Sequence, residues 1–180
     1  MKTFSVSIVL VGVGRDRTES IVTLESGRPD VETVSVRDPG YALSVIAQAK
    51  DRADHLVVLT AHTMPVVSER IDARMWRFQG QPMNVSLPVL FAAAANGARA
   101  AALMVDSQMH HPESSLVALI PFTPIEINDM RVLIDGDAVD ETLGTYSYTS
   151  TLKRLKEHCA DQDWVKILDG PGPLQYWQGP

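Results

Sequence analysis

Side chains that could transfer a proton or bind a ligand fall in two parts of this 180-residue chain. Glu19 follows Arg15 and Arg17 at the end of the first apolar segment, and a carboxylate beside basic groups can bind or protonate a ligand. The alternative is an exposed ion pair worth under ~1 kcal/mol. Tyr146 and Tyr148 are two positions apart, so in an extended segment both side chains point the same way. These tyrosines could contact a ligand, or pack at the entry to a helix.

Five histidines raise the question of a metal site. His110 and His111 are adjacent, so their side chains diverge, whereas a zinc site needs at least three converging ligands. His55 and His62 flank an apolar segment and could converge only through the fold. Solvent-exposed loop histidines are the simpler interpretation, and we expect no bound metal.

The single cysteine and a pair of glycines are residues that could support other chemistry. One cysteine, Cys159, excludes an internal disulfide and any cysteine-based zinc or iron–sulfur site. Adjacent helix positions do not face each other, so His158 is badly placed to activate that thiol as a nucleophile. Gly12 and Gly14 follow a predicted strand, where a phosphate-binding loop would begin, but the third glycine of a dinucleotide motif is missing. A glycine-permitted turn is the favoured interpretation.

Composition limits the class of protein. The chain is long enough for one domain with its own core, and 45% hydrophobic with 21% charged residues is typical of a globular protein. Sixteen basic and twenty-two acidic residues give a net charge of −6, which argues against a nucleic-acid binder that relies on clustered Lys and Arg. No segment approaches the ~20 apolar residues that cross a bilayer, and no cleavable leader is evident. We expect a cytoplasmic protein whose partners are neither nucleic acid nor membrane.

Apolar patterning predicts an α+β sandwich. The predicted strands cover residues 3–13, 20–25, 31–37, 55–61, 115–127, 130–134 and 164–168, and the predicted helices cover 42–52, 89–95, 98–105 and 149–159. Short polar connections between the first three strands favour antiparallel hairpins and hence an antiparallel-rich sheet packed by helices. The segment 71–78 is ambiguous, because its alternation is imperfect for a strand. We expect one domain over residues 1–169, followed by an irregular Pro/Gly-rich tail over 170–180.

The segment from Val89 to Val105 is alanine-rich and carries one charged residue, Arg99. Asn96-Gly97 divides it and predicts a break or kink. A helix so apolar all round is buried on more than one side. It therefore lies either at the centre of the domain or against another subunit.

Several of these segments, in order, resemble the formaldehyde-activating enzymes. Leu10-Val11-Gly12-Val13-Gly14, followed later by Val31-Glu32-Thr33, is similar to the Leu-Val-Gly-Asp-Gly turn and the later Glu-Thr of that family. Residues 57–65 resemble its buried strand ending in Ala-Pro-Asn-Leu-Pro. Residues 96–107 are similar to its alanine-rich helix, and residues 146–152 to its Tyr-Asn-Tyr helix entry.

The resemblance implies an enzyme of one-carbon metabolism. Members of that family are lyases that condense formaldehyde with tetrahydromethanopterin, a co-substrate, to give the methylene derivative and water. The implied fold is a two-layer sandwich similar to domain 2 of ribosomal protein S5. The implied assembly is a homo-oligomer, specifically a homopentamer with pterin sites between subunits, and it would place the nearly uncharged segment 89–105 at a subunit contact.

The resemblance also implies which residues form the site. The family carries a histidine in its second strand, taken as the acid that helps to expel hydroxide from the hydroxymethyl intermediate. Gap-free alignment puts Glu19 at that position. A buried glutamic acid could still donate this proton, whereas Arg15 and Arg17 would keep Glu19 ionised. The expected substrate-binding residues are His62, Arg74, Tyr146 and Tyr148.

Three functions stay open at this point. The first is a divergent formaldehyde-activating-type enzyme with Glu19 as proton donor. The second is a non-catalytic homologue that binds a pterin, an aldehyde or another small carbonyl compound, and the missing histidine motivates it. The third is an α+β interaction protein whose likeness to the family is accidental, which would show no pterin affinity and would sediment as a monomer.

Overall fold

The computed structural model describes residues 2–12, 28–65, 82–84, 86–105, 125–140 and 145–170. Within these ranges the strands are β1 (Phe4–Val11), β2 (Val31–Val36), β3 (Ala53–Ala61), β4 (Thr63–Pro65), β5 (Pro82–Asn84), β6 (Ala100–Met104), β7 (Ile125–Ile127), β8 (Met130–Asp135), β9 (Val139–Asp140) and β10 (Thr145–Tyr146). The helices are α1 (Pro39–Arg52), α2 (Ser86–Ala95), α3 (Tyr148–His158) and α4 (Asp163–Asp169).

Six of the strands form one mixed sheet in the order β2-β1-β3-β6-β8-β7. Every neighbouring pair is parallel except the β7–β8 hairpin. The expectation of an antiparallel-rich sheet is therefore wrong, and β2 runs parallel to β1 with Val6 opposite Val31. The expectation rested on short connections, whereas the near-continuous apolar runs in β1 and β3 are typical of parallel strands that are buried on both faces.

Helices cover both faces of this sheet. On one face, α1 and α2 pack against alternate strand residues such as Val9, Val11 and Val58. On the other face, α3 and α4 pack against the intervening residues, such as Ile8 and Leu10. The expected α+β class, with helices packed on a mixed sheet, is confirmed. The likeness to ribosomal protein S5 stays a prediction.

The predicted helices around α1 and α3 are confirmed, and both have side-chain caps. The Asp38 carboxylate accepts a hydrogen bond from the backbone of Gly40 at the start of α1, and the Ser147 hydroxyl accepts one at the start of α3. Leu152 and Leu155 of α3 are buried as their spacing predicts.

The alanine-rich segment divides into a helix and a strand. Its first half is α2, as predicted, and its second half is β6, where a helix was expected. All five residues of β6 are buried between β3 and β8, so packing outweighs the small helical preference of alanine. The break falls at Gly97, whose φ of +71° favours glycine. The sequence left two locations open for this segment, the centre of the domain or a contact with another subunit. The strand β6 lies at the centre of the domain.

The segment 164–168 was expected to be a strand and lies instead in α4. Trp164, Val165 and Leu168 are buried, which is the spacing of one helix face, and a run this short does not distinguish helix from strand by pattern. The expected hairpin at 130–134 is confirmed as β7–β8, joined by Asn128 and Asp129 at positive φ.

Several expectations fall outside the described part of the chain. They are the strand at 20–25, the ambiguous segment 71–78, most of the strand at 115–127, and the tail beyond Gly170. Within the described part, no helix is both long enough and apolar enough to span a bilayer.

Cys159 lies at the end of α3, fully buried in the core beneath the sheet. Burial raises the pKa of its thiol from the usual 9.0 to about 11. We expect about one thiol in a thousand to be ionised near pH 8, so a colorimetric disulfide reagent should leave the folded protein unmodified. In urea the same reagent should modify one thiol per chain, and rapid modification of the folded protein would contradict this burial.

The raised pKa also predicts a dependence of stability on pH. Because the folded pKa lies above that of the unfolded chain, this contribution is complete below about pH 9 and is lost as the pH rises toward about 11. The measurement is the free energy of unfolding between these pH values, with Cys159→Ala as the control. The difference between the two proteins should shrink as the pH rises, and a constant difference would rule out a shifted thiol.

Candidate functional site

The parallel strands bring their carboxyl ends to one edge of the sheet, which is called the carboxyl edge below. The chain passes from β1 to β2 on one side and then to β3 on the other, so the strand order reverses between β1 and β3. In open sheets of parallel strands, ligands bind outside the carboxyl ends at such a reversal. The carboxyl edge beside β1 and β3 is therefore the candidate site.

His62 is the first residue after β3 and lies at this edge. Its side chain is 1% exposed, and its backbone N–H donates to the Met104 carbonyl at the end of β6 over 2.8 Å. Nδ1 of His62 lies 3.2 Å from Oγ of Ser86, the first residue of α2. The Ser86 hydroxyl donates in turn to Oδ1 of Asn84 over 2.8 Å. Three polar side chains are thus joined in a row on the face that α2 covers.

Tyr148 and Tyr146 lie at the same edge, in the segment that returns to the sheet after β8. The Tyr148 hydroxyl donates to the Val11 carbonyl, the last residue of β1, over 3.0 Å. The Tyr148 ring belongs to the core on the α3 face, whereas the half-buried Tyr146 packs against both cores. The observed role of Tyr148 is to tie the start of α3 to the end of β1.

The structure brings three of the five predicted site residues to the carboxyl edge: His62, Tyr146 and Tyr148. Glu19 and Arg74 lie outside the described residues. Sequence reasoning missed Ser86 and Asn84 as partners of His62. Their contact with His62 depends on the antiparallel pairing of β4 with β5, which joins residues distant in the chain, so the sequence pattern carries no signal for it.

Gly12 follows β1 at the carboxyl edge and has a φ of +99°. Its N–H donates to the Val36 carbonyl over 2.8 Å, so this amide is used within the backbone and does not face a phosphate. The positive φ agrees with a glycine-permitted turn, and residues 13–27, which would complete a turn or a nucleotide-binding loop, lie outside the described part of the chain.

His55 lies at the opposite end of β3 from His62. At ~3.3 Å per residue, seven positions separate the two histidines by roughly 23 Å, so they do not converge. Burial lowers the pKa of His55, and the nearby Arg99 lowers it further. Among the described side chains, no group of three or more His, Cys, Asp and Glu is arranged to hold a metal.

Asp135 ends β8 at the carboxyl edge, on the face that α3 covers. It is 1% exposed, and its carboxylate accepts hydrogen bonds from Thr151 and, over 2.7 Å, from Nη2 of Arg154. Its Oδ1 also accepts from the backbone N–H of Asp137 over 3.3 Å. Asp135 therefore anchors α3 to the sheet, and its pairing explains why Arg154 is half-buried where the helix pattern predicts exposure.

Comparison with known proteins finds no relative of this chain. Protein-family models, curated proteins and solved structures were all searched, and none matches the chain. The resemblance to the formaldehyde-activating enzymes stays a prediction.

Proposed function

We propose that the protein binds a small organic molecule at the carboxyl edge, between β1 and β3, and that His62 exchanges a proton with it. The observation that carries this proposal is the buried His62 at the reversal of strand order, joined to Ser86. Imidazole is the side chain best suited to exchange a proton near neutral pH. Burial costs a polar ring free energy unless it is hydrogen-bonded, and the His62 ring is hydrogen-bonded to Ser86.

The arrangement of His62 suits proton transfer because its position is held from two sides. The backbone is fixed to β6 by the bond to Met104, and the ring is held by Ser86. A general acid or base must lie within hydrogen-bond reach of the reacting atom, and a ring that is already oriented keeps that distance without further ordering.

The substrates in this proposal come from the family resemblance: formaldehyde and tetrahydromethanopterin. In their condensation two C–N bonds form, two N–H bonds of the pterin break, and both protons leave with the carbonyl oxygen as water. Catalysis therefore requires a group that removes a proton from nitrogen and a group that delivers one to the departing hydroxide. We assign proton transfer at the described edge to His62 and keep Glu19, from the alignment, as the donor to hydroxide.

The remaining predicted residues would bind the pterin. An aromatic ring can stack on a flat heterocycle, and we assign this role to Tyr146, which is half-buried and packs against both cores. Tyr148 would support this surface through its bond to Val11. Arg74 stays a proposed ligand contact on the resemblance alone.

A second candidate function is a binding protein without catalysis. It is favoured by one specific observation, the glutamate at position 19 where the family has its catalytic histidine. Such a homologue would bind a pterin or a small carbonyl compound saturably at the same edge, without accelerating the condensation.

We also propose that the protein forms a homo-oligomer. Its proposed location is the cytoplasm. Leu87 and Phe91, one turn apart on the outer side of α2, are 52% and 59% exposed. Exposed apolar side chains in a group are typical of contact surfaces, which supports the homo-oligomer that the resemblance implies. Sedimentation of the pure protein as a monomer would overturn this part, and a five-fold mass would support the homopentamer.

The test of function is the condensation of formaldehyde with tetrahydromethanopterin, followed with and without the pure protein. The reaction proceeds spontaneously, so the observable is acceleration above that background in proportion to protein concentration. We expect His62→Gln to reduce the acceleration about 10²- to 10⁴-fold, the usual contribution of a positioned acid or base. His55→Gln, at the other end of the same strand, is the matched control and should retain full activity.

The variants also separate the possible functions. Loss of acceleration in Glu19→Gln would confirm it as the donor to hydroxide, whereas full activity would remove it from that role. Equal activity of His62→Gln and the unaltered protein would contradict the assignment of His62. Saturable pterin binding without any acceleration would favour the binding protein, and no binding at all would overturn both functions.

A further inference from the structure

The contacts that join His62, Ser86 and Asn84 determine which atom donates each hydrogen. A serine hydroxyl has one hydrogen, and that of Ser86 is donated to Oδ1 of Asn84 over 2.8 Å. Ser86 can therefore only accept in its 3.2 Å contact with Nδ1 of His62. The hydrogen in that contact must belong to Nδ1, and in the neutral ring the lone pair then lies on Nε2.

We propose that Asn84 and Ser86 are positioning residues that hold His62 in the tautomer with its hydrogen on Nδ1. Nε2 is then the ring nitrogen that can accept a proton. Proton exchange with a bound molecule rests on the proposed function, whereas the tautomer does not. Ser86 is completely buried and His62 nearly so, so water does not compete for the bond between them.

The backbone explains why these three residues meet. Thr63, which directly follows His62, is paired with Asn84 in the short antiparallel ribbon of β4 and β5. Ser86 stands two residues beyond Asn84, at the first position of α2. The ribbon therefore brings Asn84 beside the end of β3, and the start of α2 places the Ser86 hydroxyl between Asn84 and the imidazole.

The test is ¹⁵N nuclear magnetic resonance of the histidine rings near pH 8, above the ordinary histidine pKa of ~6.5. The nitrogen shifts separate a protonated ring nitrogen from one with a lone pair. We expect His62 to show a protonated Nδ1 and a lone pair on Nε2 in nearly every molecule. A protonated Nε2 would overturn the proposal directly.

Two variants distinguish positioning from a merely structural role. Asn84→Ala frees the Ser86 hydrogen to be donated to Nδ1, so the population of His62 should shift toward the form with its hydrogen on Nε2. Ser86→Thr keeps a hydroxyl and should retain the original tautomer. An unchanged tautomer in Asn84→Ala would show that Asn84 does not set it, and the proposal would fail.

The resonances of His55 provide the internal control, because this ring lies at the far end of β3 and should be unchanged in every folded variant. The ring measurement also separates this proposal from the proposed function. A protonated Nδ1 in a protein that neither binds nor accelerates would support the positioning role while the function fails. Full acceleration by a protein whose His62 carries its hydrogen on Nε2 would support the proposed function and overturn the positioning role.

Discussion

The central strands of this protein are buried on both faces, and every other feature depends on the ladder that joins them. All residues in 6–11, 56–61 and 100–104 are buried, so their backbone N–H and C=O groups are shielded from water and are satisfied by the neighbouring strands. Parallel pairing of β1, β3 and β6 does this while leaving both faces free for helices. The polar side chains within the ladder are also hydrogen-bonded, as in the 2.9 Å bond from Ser7 to Glu32.

The candidate site follows from where this ladder ends. The apolar run of β3 stops at Ala61, and the next residue, His62, continues the ladder through one backbone bond to Met104. The backbone of His62 therefore has a fixed position at the edge. Ser86 and Asn84 then reach it through the β4–β5 ribbon, and Tyr148 closes the neighbouring strand end from the opposite face. The packing of the core strands therefore fixes the positions of the site residues.

The sequence pattern predicted the helices and strands that depend on residues close together in the chain. The strands β1, β2 and β3 follow from apolar runs, and the helices α1 and α3 follow from apolar residues at helical spacing. Strand direction could not be predicted, because it depends on partners distant in the chain. For the same reason the alanine-rich pattern of β6 predicts a helix, since alanine becomes a strand residue only when two layers enclose it. His62 was found by its place after β3, whereas Asn84 and Ser86 become its partners only through nonlocal pairing.

The claim that the carboxyl edge is the functional site can be tested by amide hydrogen exchange, with and without saturating tetrahydromethanopterin. If the claim is right, exchange slows at the ends of β1 and β3 and at the start of α2, around Gly12, His62 and Ser86. Exchange at the opposite edge, around Ala53 and Arg99, should be unchanged. Slower exchange confined to that opposite edge, or no change anywhere, would contradict the claim.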